Sequence, residues 1–192
     1  MIFFLFIAFI SPNIYSVDIG SENIRVSFAM KDGQLSIQPN SYNQRYNPNI
    51  IGFGIKDSET DIYSHKWYTG TDALIIEEQN SSRVIRNPFA YLTKSMETNT
   101  NSKSSDTKIS FPLPGIHPAI ASAILISANL PNFIPKTDKV IVTVPTTSSP
   151  KYRSVLRDVV MPLASIKKVS FIDKSSAIVA SYLIERFNRT SR

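Results

Sequence analysis

A short run near the start of the chain combines an acidic side chain, a glycine and small polar residues in an order that can bind phosphate. The run is Val17-Asp18-Ile19-Gly20-Ser21-Glu22-Asn23, and a second β-type run with alternating apolar residues follows at 24–28. Gly20 permits a tight turn and a close approach of the backbone to a ligand. The pattern predicts a hairpin whose turn can hold a phosphate group; ordinary hairpins with Asp-x-Gly-Ser are the alternative.

An uncharged apolar run, 2–10, lies ahead of this hairpin. It is too short for a membrane-spanning helix, which needs about 20 residues, and it has the length of a signal-peptide core. Ser11-Pro12-Asn13 forms a polar break after it, and Ser16 is a small residue at a candidate cleavage point. We therefore expect 1–16 to be a signal peptide, the chain to reach the endoplasmic reticulum lumen or be secreted, and no transmembrane anchor. A buried first strand is the alternative.

Composition favours one modest domain over 17–192. The 192 residues contain no cysteine, which excludes disulfides, thiol nucleophiles and cysteine-based metal sites. The net charge is +6, with many of the basic residues toward the C-terminal end. No basic stripe interleaved with aromatic residues is visible, so we expect solvated helix faces and no nucleic-acid partner.

The order of the predicted elements favours an α/β fold. Strands are predicted at 17–30, 33–38, 48–56 and 66–69, and short helices at 71–79 and 87–96. The segment 97–108 has no apolar side chain and is expected to be a disordered surface loop. Beyond it, helices at 117–129, 150–161 and 175–188 alternate with strands at 139–145 and 167–172.

The strand 139–145 is the centre of this prediction. Its β-branched run is typical of a strand covered on both faces, so it should pair in parallel with 17–20 or 167–172. Buried side chains are expected at Val142, Val144, Val169 and Phe171. Thr146 to Ser149 offer hydroxyl N-caps before a helix that starts at Pro150. The small residues early in the last predicted helix allow close packing.

Four segments, in order, resemble the heat shock protein 70 (DnaK-like) chaperone family, and most closely its lumenal glucose-regulated 170-kilodalton class. The first, 17–22, is similar to the family's first phosphate loop, which follows a signal peptide in the lumenal class. The second runs from Asn40 to Phe53 and includes Arg45 and Pro48. The third is 70–73 with the Asn-Pro pair at 87–88. The fourth covers 142–145, Arg153, Asp158, 172–173 and 177–182, and resembles the family's ITVPAYF…R…D…INEPTAAAIAY pattern.

The resemblance implies a truncated actin-like ATPase (ribonuclease-H-like) lobe with a mixed sheet and flanking helices. It implies ATP and Mg²⁺ as cofactors and a role as a molecular chaperone in ATP-dependent protein folding, with unfolded polypeptides or co-chaperones as partners. Asp18 would organise the water around the Mg²⁺ ion. Gly20, Ser21, Glu22 and Asn23 would present backbone N–H groups and side chains to the nucleotide phosphates.

Three departures from the family pattern argue against efficient hydrolysis. Glu22 stands where the common members have threonine, the family's catalytic lysine falls on Met96 with Lys94 out of register, and the carboxylate of the NEPT motif falls on Lys174. The second, glycine-rich phosphate loop and the adenosine pocket would lie beyond Arg192. We therefore expect a fragment or a degenerate descendant. The alternative function is a catalytically inactive module that binds a partner chaperone or exchange factor.

Other candidate chemistry is weak. His65 and His117 are single histidines in unlike surroundings, for which a loop or core role is favoured over catalysis or metal binding. Glu77 and Glu78 are adjacent, so they do not form an acid/base pair and are expected in a solvated turn or helix end. Asn80 and Asn188 begin glycosylation sequons, which matter only in the secretory pathway.

Overall fold

The structure, a computed structural model, describes residues 14–29, 35–54, 66–93, 116–131 and 139–190. The apolar run at 2–10, His65, Met96 and the polar segment 97–108 lie outside these residues. The expectations placed on them therefore stay predictions.

The larger sheet is mixed and has the strand order β3-β2-β1-β8-β9, with β4 also paired to β2. Its strands are β1 (Ile14–Ile19), β2 (Asn23–Ala29), β3 (Leu35–Ile37), β4 (Asn47–Pro48), β8 (Lys139–Val144) and β9 (Val169–Asp173). The β1–β2 hairpin is antiparallel, and β8 lies parallel to both β1 and β9. The prediction of parallel pairing for 139–145 is thus confirmed, on both sides of the strand.

A second sheet of three strands carries the middle of the chain. In it β5 (Ile50–Phe53) lies between β6 (Trp67–Thr69) and β7 (Val84–Arg86), all antiparallel. Helix α1 (Thr71–Gln79) packs on this sheet, as Ala73 is fully buried with Ile50 and Val84. Gly52 lets the helix approach, because a Cβ there would lie 3.3 Å from the Cβ of Ile76.

The helices that cover the larger sheet are α2 (Pro118–Asn129) and a continuous helical segment, 150–163. The latter consists of α3 (Pro150–Val155), a π-helical turn (Leu156–Val160) and α4 (Met161–Leu163). Pro162 accounts for the π turn, because proline has no N–H and its ring clashes with a carbonyl one turn earlier. The Met161 N–H accordingly bonds to Leu156 O, five residues back.

The main core lies on one face of the larger sheet. Val142 and Val144 are buried there, as predicted, beneath α2 and the 150–163 helical segment. Ile141 and Thr143, on the opposite face of β8, are half-buried, so within the described residues the second face of the strand is covered only in part. Val169 and Phe171 are also half-buried rather than buried, because β9 is the last strand of the sheet in the described part of the chain.

Helix α5 (Lys174–Thr190) follows β9 directly. Its described side chains do not pack closely, contrary to the expectation from its small residues. Ile178, Val179, Tyr182 and Leu183 form an exposed apolar stripe, with Ile178 62% exposed. The described chain is therefore a mixed α/β structure with flanking helices, and this coarse level of the predicted fold class is confirmed.

Strand β1 begins at Ile14, two residues before the predicted last residue of the signal peptide. Tyr15 is buried and pairs with Phe28 on β2 and Val140 on β8. Cleavage after Ser16 would remove Ile14 to Ser16, half of the strand. Cleavage itself stays a prediction.

Candidate functional site

A cleft of about 410 Å³ opens at one end of the larger sheet, where three segments meet. The turn of the β1–β2 hairpin forms one wall through Ile19, Gly20 and Ser21. The segment 87–93 forms another, and the loop 145–149 with Tyr152 forms the third. Because β1 and β8 are parallel, their carboxyl ends meet here, which is where open α/β sheets bind ligands.

The hairpin turn is closed by its own backbone. The Gly20 N–H donates to Asn23 O at 2.9 Å, so it is already used and is not a donor for a ligand. A Cβ at Gly20 would lie 2.8 Å from the same oxygen, closer than real Cβ contacts. The glycine is therefore required by the close approach of two backbone segments, and its contribution to the cleft is space.

Asn49 links two walls of the cleft through hydrogen bonds. This role was not predicted from the sequence. Its side-chain Nδ2 donates to Gly20 O at 2.7 Å and to Asn87 Oδ1 at 3.3 Å. Its backbone accepts from the Asn87 N–H at 2.8 Å and donates to Glu22 O at 2.7 Å. The residue is 2% exposed. In the sequence, the only indication of this role is that Asn49 is a polar residue between Pro48 and the apolar run 50–51.

Asn87 shapes the wall that Asn49 holds. It adopts a left-handed backbone conformation with φ of 47°, which asparagine tolerates better than most residues. A short 3₁₀ helix, Pro88–Tyr91, starts after it and buries Phe89. The predicted helix at 87–96 is thus reduced to one turn within the described residues.

The loop 145–149 brings hydroxyl groups to the cleft. Ser149 is the N-cap of α3, since its Oγ accepts from the Tyr152 N–H at 3.1 Å, which confirms the predicted capping. Ser148 Oγ accepts from Arg153 Nε at 3.0 Å. Burial raises the pKa of Tyr152 to about 12, so the phenol that lines the cleft is neutral at ordinary pH. The wall is polar and uncharged.

Asp18 lies on the face of the sheet opposite the main core, two residues before Gly20. Its Oδ1 accepts from Thr143 Oγ1 at 2.6 Å and lies 3.1 Å from the Lys174 ammonium nitrogen. Oδ2 is 3.4 Å from the same nitrogen. The carboxylate therefore already has a hydroxyl and a cation as partners.

The junction between β9 and α5 is tied to its surroundings at three consecutive residues. Asp173 pairs with Arg153, Lys174 pairs with Asp18, and Ser175 Oγ accepts from Thr146 Oγ1 at 2.9 Å. These contacts connect the first turn of α5 to β1, to α3 and to the loop beside the cleft.

Of the remaining predicted binding residues, Ser21 lines the cleft, whereas Glu22 and Asn23 are not part of its lining. Ser21 and Glu22 are exposed and Asn23 is half-buried. The pKa of Arg86 is raised, mainly by its hydrogen bond to Glu77 and to a smaller extent by the negative charge of Glu22. The roles assigned to Ser21, Glu22 and Asn23 stay predictions.

Two other sequence expectations can be assessed. His117 is the N-cap of α2, with Nδ1 accepting from the Ala119 N–H at 3.1 Å, which is the structural role favoured from sequence. Glu77 lies late in α1 and pairs with Arg86, whose Nε is 2.7 Å from Glu77 Oε1. It belongs to a surface ion pair at a helix end.

A second, polar cleft of about 330 Å³ lies away from the hairpin turn. It is formed by 38–42, the start of α1 and the end of α2. Its amides largely satisfy each other, as in the bond from Asn47 Nδ2 to Asn129 Oδ1. Tyr42 Oη donates to Asp72 at 2.5 Å, which raises the pKa of that phenol.

The donor set at Asp18 does not fit a magnesium ion. Mg²⁺ requires near-octahedral oxygen ligation and is usually held by one or two carboxylates together with waters and phosphates. Here the one carboxylate is paired with an ammonium group. Within the described residues, no group of three or more histidine, cysteine, aspartate or glutamate side chains could hold a metal.

Comparison with protein-family models and with curated proteins finds no match to this chain. Among the helices of the described residues, none is both long and apolar enough to span a membrane.

Proposed function

We propose that the chain is an actin-like lobe of a heat shock protein 70-like molecular chaperone, and that the cleft binds the phosphates of ATP. One observation carries the proposal. The hairpin turn after Asp18, the Asn87-Pro88 segment and the start of α3 lie far apart in sequence, and together they line one cleft at the carboxyl ends of β1 and β8. Three of the four segments in which the sequence resembles the family contribute to this lining, through Ile19 to Ser21, Asn87 and Pro145.

The chemistry of the cleft suits phosphate oxygens. Hydroxyl groups at Thr147, Ser148 and Ser149 line the cleft and can donate hydrogen bonds to phosphate oxygens. On the opposite wall of the cleft, Gly20 has no side chain, so a phosphate can approach the backbone of the hairpin turn closely. Arg153 is engaged by Ser148 and Asp173, so it does not present a free fork to a phosphate.

We expect weak binding and little hydrolysis. The cleft offers a few neutral donors, and these must offset the entropy lost when a flexible triphosphate is fixed, a cost of several kcal/mol. The dissociation constant should be about 0.1–1 mM, which corresponds to less than about 6 kcal/mol of binding. Asp18 is paired with Lys174, so its carboxylate is not free to order a nucleophilic water.

Isothermal titration of the purified chain with ATP tests the proposal. Saturable binding in the expected range, weakened at least threefold in Ser148→Ala/Ser149→Ala, supports it. A Ser154→Ala variant, on the same helix but outside the cleft lining, is the matched control. Absence of saturable binding up to about 10 mM, a limit near 3 kcal/mol, contradicts it.

The proposed location is the endoplasmic reticulum lumen or the secreted fraction. N-terminal sequencing of the product in cells tests this. A chain that begins near Val17 in the lumenal or secreted fraction is expected. A retained Met1 in the cytosol would contradict the location.

The exposed stripe on α5 favours a second candidate, a catalytically inactive module that binds a partner chaperone. The stripe is formed by Ile178, Val179, Tyr182 and Leu183, which recur at helical spacing. Titration with a purified lumenal heat shock protein 70 tests it. Binding that is lost in Ile178→Ser/Leu183→Ser and does not change with ATP favours this module over the nucleotide-binding lobe.

A further inference from the structure

The face of the sheet opposite the main core carries an internal ion pair next to the cleft. The Lys174 ammonium lies 3.1 Å from Asp18 Oδ1 and 3.4 Å from Oδ2, so it is shared between both carboxylate oxygens. Thr143, which is opposite Asp18 in the parallel β1–β8 register, donates to Oδ1 at 2.6 Å. The carboxylate is thus neutralised from within the chain.

The position of the ammonium is fixed by its neighbours in sequence. Lys174 is the first residue of α5, and the residues on either side of it, Asp173 and Ser175, are bonded to Arg153 and Thr146. The end of β9 is also held in register, because Asp173 is opposite Val144. The lysine stem therefore starts from an anchored junction, which limits how far the ammonium can move from Asp18.

From these contacts we infer that the Lys174 ammonium is the resident cation of Asp18, and that a phosphate compound binds in the cleft in its metal-free form. The statement about the cation stands on the geometry alone. The statement about the ligand rests on the proposed function.

Charge and coordination both support the inference. A divalent cation next to Asp18 would lie within a few ångströms of a positive ammonium, which repels it at any realistic dielectric. To bind Asp18 it would also have to displace an ammonium that already contacts both carboxylate oxygens. The ammonium already offsets the charge of Asp18, so this carboxylate has little net charge left with which to attract Mg²⁺.

The first arm of the test uses the cation alone. Mn²⁺ is titrated into the wild-type chain and Asp18→Asn, with the relaxation rate of water protons as the readout. The two chains should bind Mn²⁺ equally. Binding that is at least threefold tighter in the wild type than in Asp18→Asn would overturn the inference. Lys174→Glu should gain affinity of at least tenfold, and Lys167→Glu, an exposed lysine that undergoes the same charge change, should gain less than threefold.

The second arm uses ATP in EDTA and in excess Mg²⁺. The dissociation constants of the wild-type chain should agree within twofold, and a more than tenfold gain with Mg²⁺ would overturn the inference. If no ATP binds in either buffer, the proposed function fails while the Mn²⁺ arm still decides the cation. Two of these comparisons introduce no new charge: Mn²⁺ binding by the wild type and Asp18→Asn, and ATP binding by the wild type in the two buffers. Circular dichroism confirms that each variant is folded.

Discussion

The alternation along β8 leads to a quantitative prediction. Val142 is fully buried on the core face, whereas its neighbour Ile141 lies half-buried on the opposite face. Val142→Ala removes two carbons, which costs about 1.6 kcal/mol in transfer free energy. A cavity of roughly 50 Å³ adds about 1.2 kcal/mol. The free energy of unfolding should therefore fall by about 2.5–3 kcal/mol.

Ile141→Ala is the matched control. It removes three carbons, but only part of their surface leaves water on folding and no closed cavity remains. The expected loss is about 1 kcal/mol. The smaller of the two truncations, Val142→Ala, should therefore cause the larger destabilisation.

Urea denaturation followed by circular dichroism measures both variants. With a slope of about 2 kcal/mol per M for a domain of this size, the midpoint should fall by about 1.3 M for Val142→Ala and about 0.5 M for Ile141→Ala. Equal shifts, or a larger shift for Ile141→Ala, would refute a sheet whose core lies on one face.

Three further predictions concern the walls of the cleft. Gly20→Ala should destabilise the chain by about 1–3 kcal/mol in urea denaturation, because its Cβ would lie 2.8 Å from Asn23 O; an unchanged midpoint would contradict the close approach. Asn49→Ala should cost about 2–3 kcal/mol and weaken ATP binding, because Gly20 O and Asn87 Oδ1 lose their donor; loss of stability with unaltered ATP binding would show that Asn49 does not shape the cleft. The pKa of Tyr152 is raised from 10.0 to about 12, so its proton stabilises the fold fully below pH 10, and this stability, about 2–3 kcal/mol, is lost between pH 10 and 12. In a pH titration, the increase in tyrosinate absorbance near pH 12 should disappear in Tyr152→Phe. If it persists, it belongs to another tyrosine.

The order of the elements could be predicted from the sequence because periodicity and local signals agree. Helix α1 matches its predicted bounds, and Ser149 caps α3 where hydroxyl residues precede Pro150. The β-branched run at 139–145 correctly predicted a parallel central strand. It did not show which faces were covered, because β-branched residues also occupy half-buried positions and propensity does not report packing.

The key contacts of the candidate site could not be predicted. The sequence contained no indication that the ammonium of Lys174 reaches Asp18, 156 positions earlier in the chain. The bridge from Asn49 to Gly20 and Asn87 likewise joins residues distant in sequence. Such pairs follow from the tertiary arrangement of strands and have no local pattern.

The most direct test of nucleotide binding in the cleft is a residue-resolved titration with ATP, followed by ¹H–¹⁵N correlation spectra of the labelled chain. Amide signals of Ser21 and of Thr147 to Ser149 should shift and saturate together with a dissociation constant of about 0.1–1 mM. The same shifts should appear in EDTA and in Mg²⁺. Shifts confined to the second cleft around Tyr42 and Asp72, or no saturable shift up to about 10 mM ATP, would contradict the account.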